Sequence, residues 1–307
     1  MTIDAIVGSI ELGLIYSIMA LGVFLSFRTL NTPDLTVDGS IVTGMAASVM
    51  VCSAGGNPYV ALLAAFIVGC AAGTVTALLN TKLGIQPLLA GILVMLGLYS
   101  VNLRIMGGKS NIAIIKSDTV YKSFQELVPS EYSALILGSI ILTLVTAALY
   151  YFLRTRLGFA LRATGDNDEM VRASGINSST MRVIGLSLSN GMVGLAGGLL
   201  AQYQSVADAG MGVGMVVIGL ASVIIGEAVF GTRSLLRRLI AVSLGAILYR
   251  TVIAFAFNLG MPSTDLKLVS AVIVTIALST GMMGEKFSIA ALIRKPAFTK
   301  KGGAKNA

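Results

Sequence analysis

"LRATGDNDEMVRASGINSST", residues 161–180, is the polar interruption on which the reading of the whole chain turns. Apolar runs flank it, about 133–153 before it and 183–204 after it. Each is close to the ~20 residues a helix needs to cross a ~30 Å hydrocarbon core. Inside the stretch, Asp166 and Glu169 have capping-box spacing, with a carboxylate in the cap role. "DEMVRAS" then supplies about two helical turns. Gly175 suits the left-handed residue that ends such a helix, and Asn177, Ser178 and Ser179 offer an N-cap to the next span. A plain connector would need only a handful of residues. The stretch therefore reads as a short capped helix outside the membrane, gripped between two spans and suited to dock into a partner.

Composition supports that frame. The 307 residues are 55% hydrophobic and only 12% charged, with a mean hydropathy of +0.88. Soluble domains carry roughly a quarter charged residues. The strict alternation of a membrane barrel is absent. The fold class is all-α, a polytopic transmembrane bundle. Spans are expected at about 6–27, 39–51, 59–80, 87–106, 133–153, 183–204, 215–231, 240–258 and 268–284. The second is short and follows "NTPDLTVDG" (31–39), whose Pro33 and Gly39 break helix. At least one discontinuous helix is therefore expected, giving eight or nine spans according to whether this segment crosses or re-enters. The opening residues lack the basic start of a cleavable signal and read as the first span. A transmembrane domain over 1–284 and a basic tail over 285–307 follow. Polar segments fall at about 154–182 on one side and 107–132 on the other.

Charge assigns the sides. With 161–180 in the cytoplasm, sixteen Lys and Arg fall inside and five outside, with Arg250 within a span. That asymmetry places the polar stretch and the tail inside. The net charge of +8 is thus an orientation signal, supplemented by tail contact with anionic lipid, and implies no nucleic acid. There is no His, and Cys52 and Cys70 lack metal-ligand spacing. No metal site and no intramembrane enzyme chemistry are expected. Both cysteines read as packing residues.

Polar groups inside spans are costly and carry functional hypotheses. Ser187, Ser189, Asn190 and Gln202 on the sixth span, with Asp38 in the broken element, are candidates for lining a translocation path. The alternative is that they hydrogen-bond between helices. Glu227 and Arg250 are candidates for a structural ion pair. An ion-coupled carrier would want acidic residues in its spans, where Glu11 and Glu227 are the only good candidates.

"GFALRATGDNDEMVRASGINSSTMRVIGLSLSNGMVGLAGGL" (158–199) resembles the cytoplasmic loop and following helix of ABC-importer permeases of the branched-chain amino acid and simple-sugar type. The shared pattern is G-x-A-x-R-A-x-G-x-N, then S-G-I-N, then A-G-x-L. "PDLTVDGSIVTGMAA" (33–47) is similar to the family's D-L-S-V-G element, with Asp38 as an inserted departure, and "GMGVGMVVIGLASVIIGEAVFG" (210–231) is a weaker match. The resemblance implies a permease subunit that moves a small polar solute inward. Arg162, Ala163, Gly165, Asp166, Asn167, Glu169, Met170, Gly175 and Asn177 would couple it to a separate cytoplasmic ATPase. ATP and Mg would bind that partner, and this chain would hold no cofactor. The lookalike "GGKS" at 107–110 has Leu103 where a phosphate-binding loop needs its first glycine. A substrate-binding protein on the outer segment and a second copy, or a related permease, complete the implied assembly. An amino acid is the nearest cargo, of the branched or aromatic kind. Nucleosides and simple sugars remain alternatives.

Overall fold

A computed structural model describes residues 3–115, 117–258, 260, 268–272 and 275. The basic tail, and the expected ninth span apart from the helical residues 268–272 and 275, lie outside the described residues. The chain opens with α1 (Ile3–Val23), prolonged by a π-helical turn at Phe24–Thr29, then α2 (Thr36–Ser53), α3 (Pro58–Thr81) and α4 (Pro87–Ile105). Next come β1 (Asn111–Ala113), α5 (Val120–Leu127) and α6 (Ser133–Arg154). A helix pair, α7 (Arg156–Asp166) and α8 (Asp168–Ala173), leads to α9 (Ser178–Gln204). β2 (Val206–Asp208), α10 (Met215–Phe230) and α11 (Leu235–Asn258) close the described fold. Among the described residues, seven helices are long and apolar enough to cross a membrane, and α10 is a shorter apolar helix.

The helix starts follow local chemistry. Pro58 and Pro87 occupy first-turn positions where a missing N–H costs nothing, and Asn57 caps α3 by accepting from the Tyr59 N–H. α1, α2 and α9 are largely buried, whereas α4 and α6 leave most of their surface open. The centre is built on small residues. A side chain on Gly194 would meet the Ala65 carbonyl of α3, and one on Gly197 the Ile41 carbonyl of α2. Close backbone approach is what lets membrane helices pack without a hydrophobic drive.

The bundle has two distinguishable ends. At the basic end lie Arg28, the α7–α8 pair and the arginines around 233–238. At the other end β1 pairs antiparallel with β2, with Ile112 opposite Ala207. There the first half of α1 meets the end of α9 through a Tyr203 hydroxyl that donates to Glu11 (2.7 Å). The start of α3 meets it too, since Gln202 Nε2 donates to the Pro58 carbonyl (3.1 Å). α1 and α3 thus begin at the same end, and α2 returns the chain to it.

The break expected at Pro33 and Gly39 sits earlier than the sequence suggests. Gly39 is a buried interior residue of α2, and the non-helical stretch is 30–35, in which Leu30, Thr32 and Asp34 are buried. Gly39 is tolerated inside the helix because α4 packs there: a side chain on it would strike Leu98. A second interruption precedes α10. Residues 209–214 run from β2 to a left-handed Gly214 (φ +91°) beside the first turn of α2.

Candidate functional site

Each interrupted crossing exposes a helix start inside the bundle, where unpaired N–H groups cannot rely on water. A carboxylate meets each one. Asp34 is fully buried; its Oδ1 accepts from the Thr36 N–H (2.9 Å) and its Oδ2 from Asn190 Nδ2 (2.6 Å). Asn190 also donates to the Leu186 carbonyl (3.1 Å) and accepts from Ser40 Oγ (2.7 Å). Thr36 and Thr76 share a hydroxyl contact of 2.7 Å. This network ties the start of α2 to α3 and α9. Asp38 serves α10 from across the helix boundary: its Oδ2 accepts from the Gly214 N–H (2.9 Å) and its Oδ1 from the Val216 N–H (2.7 Å). A negative group is favoured at a helix N-terminus by the aligned peptide dipoles.

The other path candidates are also engaged. Ser189 is buried and donates to the Gly22 carbonyl of α1 (2.7 Å). Ser187 is half-buried and donates to the Cys70 carbonyl of α3 (3.0 Å). Gln202 Nε2 donates to Ser48 (3.0 Å) as well as to Pro58, while its Oε1 accepts from the Val120 N–H (2.8 Å), seating α5 on the bundle. Asp38 and Ser187 each line a cleft: about 190 Å³ between α2, α4 and residues 209–213 for Asp38, and about 510 Å³, mostly apolar, between α3, α6 and α9 for Ser187. Sequence reasoning passed over Asp34. The signal was its position two residues before Thr36, the spacing of an Asx turn at a helix start.

At the basic end, 156–177 forms two helices rather than one. Asp166 ends α7, and Asn167, not Asp166, caps α8: its backbone is extended and its side chain accepts from the Met170 N–H (3.0 Å). The expected capping box is therefore displaced by one residue, because a cap must leave helical geometry and Asp166 keeps it. Glu169 falls in the first turn of α8, where its charge suits the helix dipole. Gly175 does adopt the left-handed conformation (φ +79°), and Asn177 does cap α9, accepting from the Thr180 N–H (3.2 Å). α8 is anchored by buried Val171 and by Asp168, which pairs with Arg172 (2.8 Å) and Arg182 (3.5 Å). Glu169, Met170 and Gly175 remain exposed. α7 packs on the π-helical turn: a side chain on Gly165 would strike the Thr29 carbonyl. Arg162 lies over the Phe159 ring (4.5 Å). With Ala163, Asp166, Arg28, Arg233 and Arg238 it lines a cleft of about 540 Å³.

The Glu227–Arg250 pair does not form. Glu227 pairs with Arg28 (3.1 Å) and Arg238 (3.8 Å), joining α10 to the ends of α1 and α11, whereas Arg250 stacks over the Tyr16 ring (4.8 Å). The physical reason is depth. α11 starts at Leu235, earlier than the 240 expected, which places Arg250 about 7 Å further from the basic end. At the opposite end, burial, followed by the neighbouring Tyr203 and Glu11, pushes the Tyr121 phenol well above its usual range, so this α5 side chain stays neutral.

A helical membrane bundle with two interrupted crossings and a capped helix pair projecting at its basic end has the build of a transport subunit. The chain matches the family described as the branched-chain amino acid transport system / permease component over residues 5–279, and it belongs to that family. It is 41% identical to a tyrosine transport system permease protein of Clostridioides difficile (strain R20291), covering 91% of this chain and 92% of that one. An uncharacterized protein of Rickettsia prowazekii (strain Madrid E) is 31% identical over 90% of this chain and 98% of its own. The ribose import permease protein RbsC of Escherichia coli (strain K12) is 27% identical over 90% and 85%. No solved structure matches significantly. The chain is an ABC-importer permease component, a transport subunit.

Proposed function

We propose that the cargo is an amino acid, of the aromatic kind that tyrosine represents, carried inward across the cytoplasmic membrane. The observation that carries this reading is the 41% identity to a tyrosine permease over nine-tenths of both chains. The basic end would face the cytoplasm, as the arginine excess there favours. The α7–α8 pair would be the coupling element: Val171 and the Asp168–Arg182 pair hold it to the bundle, while Glu169, Met170 and Gly175 present an exposed tip to a separate ATPase that binds ATP and Mg. Arg162, Ala163, Gly165, Asp166, Asn167 and Asn177 would shape and orient that tip. The ribbon end, with α5 and the β1–β2 pair, would receive a substrate-binding protein. A second copy or a close relative would complete the path.

The test is reconstitution. Proteoliposomes carrying this permease with its ATPase and binding protein should accumulate L-tyrosine only when ATP is supplied on the α7–α8 side. Uptake of ribose or a nucleoside instead would overturn the amino-acid reading. Uptake without ATP, driven by an ion gradient, would overturn the importer.

A further inference from the structure

The cleft of about 190 Å³ between α2, α4 and residues 209–213 holds an electrostatic imbalance that no described residue resolves. Asp38 lines it and has accepted one backbone N–H on each oxygen. An ionised carboxylate offers about four acceptor positions, and the Met215 N–H also faces this one, so at least one stays open. A helix start supplies only about half a unit of positive charge. Among the described residues no Lys or Arg pairs with Asp38. Across the cleft, α4 contributes Asn102, which is 2% exposed. Its Nδ2 donates to the Gly39 carbonyl (3.4 Å), and its Oδ1 is buried without any partner. A buried acceptor left unpaired is destabilising and needs a reason.

Both open groups are acceptors, and one carries charge. Val42, Met95, Leu96, Tyr99 and Val213 make the remaining wall apolar, with one aromatic ring. We infer that this cleft binds the transported amino acid, with its ammonium group between Asp38 and Asn102 and its side chain against the apolar wall. An ammonium has three donors and no acceptor, which matches the two side chains. The volume falls below the ~300–1,000 Å³ typical of pockets for drug-sized ligands, as suits a single amino acid. The inference rests on the amino-acid reading above and adds where and by what chemistry the permease itself recognises the cargo. Asp38 and Asn102 are then specificity-determining residues, and Asp38 has a double role: it fixes the start of α10 and it reads the ligand's charge.

Three probes separate the roles in the complex of permease and ATPase in lipid nanodiscs: L-tyrosine, tyramine, which keeps the ammonium and lacks the carboxylate, and 3-(4-hydroxyphenyl)propanoate, which does the reverse. L-Tyrosine and tyramine should bind, and the propanoate at least about tenfold more weakly, the loss expected for one charge-assisted hydrogen bond. Asp38→Asn keeps one acceptor for the start of α10 and turns an amide donor toward the other N–H, so it should lower the unfolding temperature. In the assembled variant it should weaken tyramine at least about tenfold, with the propanoate unaffected. Asn102→Leu should weaken tyramine as well. Equal binding of tyramine and propanoate by the wild type would overturn the inference, whether or not the variants assemble. So would wild-type affinity for tyramine in Asp38→Asn. ATP-driven uptake of L-tyrosine by the wild type, measured in parallel, keeps the two levels apart. Uptake with no charge preference in the cleft defeats only this site, whereas no amino-acid uptake at all defeats the proposed function.

Discussion

Gly175 shows how much one residue decides at the basic end. It follows α8 at φ +79°, its N–H donates to the Arg172 carbonyl (2.9 Å), and the Ile176 N–H reaches back to the Val171 carbonyl (3.2 Å). These two bonds close α8 and aim the chain into α9. Space is not the constraint, because a Cβ at this position meets nothing within 4 Å. Backbone conformation is. A β-branched residue there strains the turn by on the order of 1–3 kcal/mol. Gly175→Val should therefore leave the bundle inserted and folded, while the ATPase copurifies in lower yield and substrate no longer stimulates ATP hydrolysis. Wild-type stimulation in this variant would reduce the α7–α8 pair to a connector. Asn190 makes the complementary point. Its sequence position allowed either a path-lining role or bonding between helices, and in the fold it is the hub between Asp34, Ser40 and the Leu186 carbonyl.

At the scale of elements, α9 organises the molecule. One face meets α2 and α3 through glycines, and its end clamps α5 through Gln202. Gly194 lies where α9 and α3 touch backbone to backbone, so no side chain fits without separating them. Gly194→Val should cost about 1–3 kcal/mol or more, since overpacked cores are forced off rotamer or apart. The measurement is the yield of monodisperse complex and its unfolding temperature in detergent. Gly97→Ala on α4 is the control, because a Cβ there meets nothing within 4 Å and should be tolerated. Equal stability of the two variants would show that the glycine contact is not what holds α9 against α3. The same contacts explain why α2 and α10 can begin inside the bundle. Their starts are held by Asp34 and Asp38 rather than by water.

For the whole molecule, the described bundle is closed at its centre by α1, α2 and α9, all largely buried. Polar residues there are hydrogen-bonded to neighbouring helices, as Ser189 is to Gly22 and Gln202 to Ser48. A path through the middle of one copy would have to break those bonds, so the path is expected at the margin, against a second permease. α4 leaves Leu88, Leu93, Leu96 and Tyr99 exposed, and the last two line the Asp38 cleft. Native mass spectrometry of the active complex should therefore give two permease chains for each assembly. A transport-competent assembly holding one would refute this.

Composition, apolar run length and cap residues act locally, so the sequence by itself determined the helical membrane class, the positions of most spans, and the turn at Gly175 with the cap at Asn177. Motif spacing likewise carried the family. What only the tertiary structure decided is which side chains meet. Glu227 finds Arg28 and Arg238 rather than Arg250 because pairing in a bundle depends on the depth and rotation of each helix. Those are set by contacts between residues some 150 positions apart, the backbone approach of Gly44 to Gly194 and the side-chain hydrogen bond of Ser40 to Asn190. The true break before α2, and Asp34 buried beneath it, depend on the same contacts. An aspartate two residues ahead of a helix reads as a surface cap until the helices around it remove the water.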